Sequence, residues 1–230
     1  HSVVGTSLLA GWKRYSPETR SRVLDALVSR ASWTRMLLNA VAQDTVAVTD
    51  IEPARRQRLT SHSDKSLSEL AKRVLQAPTE AGRQDVLASF TGALQLKGNA
   101  DQGKTLFANR CATCHRLGDL GTQVGPDLRS LTDRSKSGFL ASIIDPSQAV
   151  EPKYLGYSAE LRDGESLYGM IATETANSII FRQLDGTERT LARASLESLE
   201  SSRLSFMPSG LEEGLSLQAM ADLLEFVSAP

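Results

Sequence analysis

The sequence predicts a mainly α-helical chain carrying a small β-rich insert. Three observations lead there. Apolar residues recur at helical spacing through residues 1–97. A further helical run from Asp101 leads into Cys111-Ala112-Thr113-Cys114-His115, the only place where cysteine occurs. Between residues 153 and 201, short apolar runs are separated by Asp163-Gly164 and Asp185-Gly186, and Asp-Gly between strands is a strong hairpin signal.

With 230 residues, 40% of them hydrophobic and 23% charged, the composition is that of a soluble globular protein of one large or two ordinary domains. No apolar run reaches about 18 residues, so no segment is expected to span a membrane. The opening His1-Ser2-Val3-Val4 lacks an initiator Met and reads as a tag scar on a fragment of a longer chain. The net charge of −1 conceals an asymmetry: residues 1–97 carry +5 and residues 98–230 carry −6. That polarity could orient a redox partner, but it is weak beside that of a nucleic-acid binder.

Residues 1–97 are expected to be helical throughout. Ser16-Pro17-Glu18 is a helix start, with Ser as cap and Pro at the first helical position. Ser32 is expected to cap a second helix bearing Trp33, Met36, Leu37, Ala40 and Val41. Glu52-Pro53 opens a third with Arg55, Arg56 and Arg58 on a solvated face, and Ser63 or Asp64 opens a fourth. Pro78-Thr79 separates that one from a fifth. His62 lies in a polar turn and is expected to be exposed. Paired amphipathic helices of this length resemble the end of a HEAT-type array, whose period is about 40–47 residues; a small helical bundle fits equally well.

Gly98-Asn99 marks a boundary. The C-x-x-C-H run beyond it reads as a c-type haem attachment site. On one helical turn, residues three and four apart share a face, so Cys111 and Cys114 can both reach the vinyl edge of a porphyrin while His115 turns beneath its iron. A redox dithiol would want a preceding strand and a βαβ context, whereas Ala100 to Arg110 looks helical. A structural zinc needs four ligands, and only three are local. A disulfide across so short a loop would constrain little.

Gly103 and Phe107, placed ahead of the haem motif, resemble the first helix of class I cytochromes c. In that family the glycine lets the C-terminal helix cross closely and the aromatic packs near the haem. Gly125-Pro126, eleven residues after His115, resembles the loop whose backbone carbonyl holds the proximal histidine. Such an acceptor on the second ring nitrogen fixes tautomer and orientation. Leu128 closes the loop. Asp133 is expected to cap a helix through Phe139, Leu140, Ile143 and Ile144. Of four methionines, only Met207 lies in a loop beside proline, Pro208, ahead of the last helix, and a thioether there suits the sixth iron position. Ser216 is expected to cap the final helix.

Residues 98–230 also resemble the haem-binding C-terminal domain of large planctomycete and verrucomicrobial multidomain proteins. The resemblance rests on Leu96 to Phe107, the haem motif, Val124-Gly-Pro-Asp-Leu128, Ile144-Asp-Pro-Ser147, Phe206-Met-Pro-Ser-Gly-Leu211 and Ala221 to Phe226. The organisation implied is a HEAT-like region at 1–97, a cytochrome c fold at 98–152 and 202–230, and a β-rich insert at 153–201 resembling an Sm-like or SH3-like barrel. One covalent haem c is expected, with Cys111 and Cys114 as anchors and His115 and Met207 as iron ligands; Phe107, Gly125, Pro126, Leu128 and Pro208 line it. The resemblance implies an electron-transfer domain, not itself an enzyme, in a periplasmic or otherwise exported bacterial protein. It would serve an upstream oxidoreductase module or partner protein, with no role for nucleic acid. The alternative is a haem sensor or ligand-binding domain with an open sixth position.

Overall fold

The computed structural model describes residues 2–15, 17–51, 53–75 and 80–229. The helix starts expected at Ser16 and Glu52, and the break at Pro78-Thr79, lie outside the described residues. The chain divides into two compact units: His1–Ala77 with Gly156–Ile180 and Thr190–Arg203, and Pro78–Leu155 with Phe181–Arg189 and Leu204–Pro230.

The first unit begins with α1 (Ser2–Ala10), followed by α2 (Pro17–Leu27), α3 (Ala31–Ala42), α4 (Pro53–Thr60) and α5 (Lys65–Val74). α3 packs on α1, α2 and α5. Their apolar stripes close over Trp12, Leu24, Leu27, Leu37, Leu38, Ile51, Leu59 and Leu67. Trp12 donates from Nε1 to Asp50 at 3.0 Å, which satisfies the one polar atom of a buried indole. Asp64 caps α5, accepting the N–H groups of Ser66 and Leu67. Ser32, by contrast, lies inside α3; Arg30 holds the cap position and makes no side-chain cap bond.

Five strands follow: β1 (Leu155–Leu161), β2 (Ser166–Glu174), β3 (Ser178–Arg182), β4 (Glu188–Ala192) and β5 (Leu196–Ser205). Asp163-Gly164 and Asp185-Gly186 make the expected hairpin turns, and each glycine takes the left-handed backbone such turns require (φ +81° and +82°). The expected closed barrel is not formed. The sheet is open and antiparallel, in the order β4-β3-β2-β1-β5. β4 and β5 are consecutive in the chain yet lie on opposite edges, and closure would need them to bond along their lengths. β4 has only five residues, and charged Glu188, Glu197, Glu200 and Arg203 sit on the two edge strands, the usual means of keeping open edges unpaired.

Backbone and side-chain bonds tie the sheet to the helices within the first unit. Ser166 N–H donates to Ser29 O at 2.7 Å, Ser158 Oγ to Ser61 O at 2.7 Å, and Gln57 Nε2 to the Tyr168 hydroxyl at 3.2 Å. Arg58, expected on a solvated face, donates to Val28 O at 2.9 Å and to Ser166 O; burial lowers its pKa to about 10. His62, expected to be exposed, keeps 6% of its side chain accessible and lies 3.7 Å from Glu160.

The second unit contains α6 (Glu80–Phe90), a 3-10 turn over Thr91–Gln95, α7 (Ala100–Arg110), α8 (Lys136–Ile144) and α9 (Leu217–Ser228). Ser216 caps α9 as expected. Ser135, not Asp133, caps α8, and Asp133 accepts from Ser135 N–H one step earlier. Phe107, Leu140, Ile144, Met220, Leu223 and Leu224 form its core. Among the described residues no helix is long and apolar enough to cross a membrane.

Candidate haem site

α7 starts where Asn99 Oδ1 accepts the N–H groups of Asp101 and Gln102, at 3.0 and 3.2 Å. It ends at Arg110, but the chain keeps turning in the same sense. Cys111 N–H donates to Phe107 O at 2.8 Å, and Cys114 and His115 N–H both donate to Cys111 O, at 3.0 and 2.8 Å. Cys111, Cys114 and His115 are thus fixed on one tight turn growing from α7. The glycine-rich loop then folds back over this turn: Thr122 N–H reaches Ala112 O (3.0 Å), Gly125 N–H reaches Cys114 O (2.7 Å) and Leu128 N–H reaches Arg116 O (2.9 Å).

That return path sets the histidine. His115 Nδ1 lies 3.0 Å from the Pro126 carbonyl. A carbonyl can only accept, so Nδ1 carries the proton and Nε2 keeps its lone pair for a metal. Gly125 lies flat against the ring; a Cβ there would come within 2.8 Å of His115 Cε1 and 3.1 Å of Nδ1. Burial lowers the His115 pKa more than the Pro126 bond raises it, so the ring is neutral at physiological pH, as a ligand must be.

Cys111 and Cys114 are free, half-buried thiols. The Cys111 thiol is pushed up to about 12, first by burial and then by the neighbouring Cys114; burial raises Cys114 as well. A catalytic dithiol needs a depressed pKa and a ready thiolate, and these residues have the opposite. Among the described residues no group of three or more His, Cys, Asp or Glu side chains is placed to hold a metal ion.

Behind the motif, α7 crosses α9. A Cβ at Gly103 would strike the Asp222 carbonyl and come within 2.8 Å of Phe226 Cβ, so only glycine permits this approach. Phe107 is fully buried and meets Phe226 at 5.6 Å between ring centroids. Asp222 Oδ1 accepts from Asn99 N–H at 2.8 Å, locking the start of α7 to α9.

Residues 100–168 match the Cytochrome c family model. The match takes in α7, the Cys111–His115 turn, the glycine-rich loop, α8, β1 and the start of β2. The chain therefore carries a c-type cytochrome domain, whose cofactor is covalent haem c with its iron. Such a domain transfers electrons through that haem. No curated protein matches the chain.

The donor set fits haem c. Two neutral thiols stand on the turn that carries the imidazole, Nε2 is left unprotonated, and the place beside the ring that a Cβ would fill is kept clear by Gly125. The cytochrome domain brings Cys111, Cys114, His115, Gly125 and Pro126 together, with Leu128 and Phe107 buried beside them. Met207 and buried Pro208 lie outside the matched stretch, in the loop between β5 and α9. Met207 is half-buried and its N–H donates to Ser205 Oγ at 3.1 Å; no described contact joins it to His115. Met170 and Met220 are core residues.

Sequence reasoning missed two neighbours of the cytochrome motif. Leu184 O, in the β3–β4 turn, lies 3.9 Å from Cys114 Sγ. A Cβ on Gly186 of that turn would meet Val124 at 3.2 Å. No local signal links residue 184 to residue 114.

Proposed function

We propose that this chain is a one-electron relay whose haem iron is held between His115 and Met207, working as the terminal electron-accepting domain of a larger oxidoreductase or beside one as a partner. The haem supplies the redox couple; the protein sets its axial ligands, burial and exposure. The carrying observation is the 3.0 Å bond from His115 Nδ1 to Pro126 O. That bond makes the imidazole a fixed, strong donor, the property an electron carrier needs to exchange charge with little rearrangement.

Met207 is the sixth ligand in this reading because it is the one methionine in a loop beside a buried proline, with a backbone already tethered through Ser205. Haem attachment to cysteine outside the bacterial cytosol makes the periplasm, or another exported location, the compartment. The planctomycete and verrucomicrobial resemblance supports a multidomain dehydrogenase as the source of electrons, and the helices ahead of the domain would join the two.

The test is optical and mass measurement on protein made in a host with cytochrome c maturation. The expected result is the mass of one added haem and a low-spin spectrum with a far-red sulfur-to-iron band. Met207→Ala should abolish that band and lower the potential. A variant spectroscopically identical to the wild type would instead favour an open sixth position.

A further inference from the structure

The loop that carries Met207 is gripped at its far side by two arginines, one of them from outside the cytochrome match. Arg110, the last residue of α7 and the neighbour of Cys111, donates from Nη1 to Leu211 O at 2.8 Å and to Glu213 O at 2.9 Å. Between those two carbonyls, Glu212 turns inward and pairs with Arg83 of α6. Each of these two side chains is 6% exposed. Arg83 lies well before residue 100, where the family match begins.

A buried ion pair is a poor device for stability, since desolvation offsets most of the attraction. This one is also incompletely satisfied: the pair joins Arg83 Nη2 to Glu212 Oε1, while buried Arg83 Nε and Glu212 Oε2 have no hydrogen-bond partner among the described residues. The best-attested use of such a pair is to fix one arrangement over its competitors. Here the arrangement is a loop turning over residues 211–214, with Glu213 N–H on Gly210 O (3.2 Å) and Leu215 N–H on Glu212 O (2.9 Å). On the other side, Phe206 N–H is held by Tyr154 O at 2.7 Å. Met207 is thus suspended between a tether at residues 205–206 and a clamp at 211–213.

We propose that Arg83, acting through Glu212, is a positioning residue for Met207, which makes α6 a working part of the haem centre. The inference rests on Met207 being the sixth ligand. An added ligand such as imidazole can bind ferric iron only while Met207 is away, so its apparent affinity scales with the fraction of open loop. Arg110 anchors the loop backbone to the turn bearing Cys111; Arg83 fixes the tilt of the loop.

The experiment uses the full haem-loaded chain and titrates imidazole into the ferric wild type and the Arg83→Met, Arg83→Lys and Arg83→Met/Glu212→Met variants. The far-red band and hydrogen exchange at the Glu213 and Leu215 amides are followed alongside. Arg83→Met should bind imidazole roughly tenfold more tightly, within the usual range of such couplings, with a weaker band and faster exchange; Arg83→Lys should restore part of each. If Arg83→Met does not fold, the double variant carries the test, because it leaves no unpaired buried charge. Imidazole affinity within about twofold of wild type in the folded variants overturns the positioning role while leaving Met207 ligation intact. A wild type that lacks the far-red band, with Met207→Ala spectroscopically silent, overturns Met207 ligation and this inference with it.

Discussion

The contact between Gly125 and the His115 ring shows how little freedom the site leaves its ligand. The backbone of Gly125 is not left-handed, so alanine is allowed there by conformation and excluded only by the ring, which a Cβ would meet at 2.8–3.3 Å. Gly125→Ala should therefore still carry covalent haem by mass while the imidazole tilts and its bond to Pro126 O lengthens. A weaker Nδ1 bond makes a less basic ligand, so the potential should rise, and overpacking should cost about 1–3 kcal/mol. Voltammetry and thermal unfolding followed at the haem absorption band check both. Arg58 and His62 teach the opposite lesson. Each sits in a polar stretch that reads as solvated, and each is enclosed because its partners, Ser166 and Glu160, lie about a hundred residues away in the chain. No local pattern encodes such a partner, whereas five adjacent residues suffice to specify haem attachment.

At the scale of elements, what was legible followed local chemistry. The Asp-Gly turns, the Ser216 cap and the apolar stripes of α3, α5 and α9 are all written within a few residues of where they act. β5 was not legible. Leu196-Glu-Ser-Leu-Glu-Ser-Ser-Arg-Leu-Ser has no apolar alternation, and it becomes a strand because β1 offers it an edge. The same edge choice leaves the sheet open, which strand-by-strand reading could not foresee. Asp64 gives the element-scale prediction. Its carboxylate accepts Ser66 N–H at 2.8 Å, Ser66 Oγ at 2.7 Å and Leu67 N–H at 3.3 Å. These bonds, Ser66 first, hold its pKa below the ordinary 3.8. Asp64→Ala should cost about 1 kcal/mol at neutral pH. Because the folded pKa is the lower one, the cap's charge-dependent share is present above 3.8 and fades as pH falls through the folded value. Urea unfolding of wild type and variant at about pH 7 and about pH 3 should show the gap narrowing in acid.

Across the whole molecule, the chain builds two apolar cores from interleaved segments. One gathers Trp12 to Leu75 and the other Ala93 to Val227, while the five-stranded sheet belongs mostly to the first unit. Only the second core adjoins the haem turn, so loss of haem should fall unequally on the two. The sequence supplies a reporter for this: both tryptophans, Trp12 and Trp33, lie in the first unit and none lies in the second. In Cys111→Ser/Cys114→Ser protein, made without haem, tryptophan fluorescence should still report a cooperative urea transition. Far-UV circular dichroism should show an earlier one, as α7 and α9 lose the group their crossing supports. Two non-coincident transitions are the signature of two cooperative units. Coincident transitions at a lowered urea midpoint would mean that the chain unfolds as one cooperative unit.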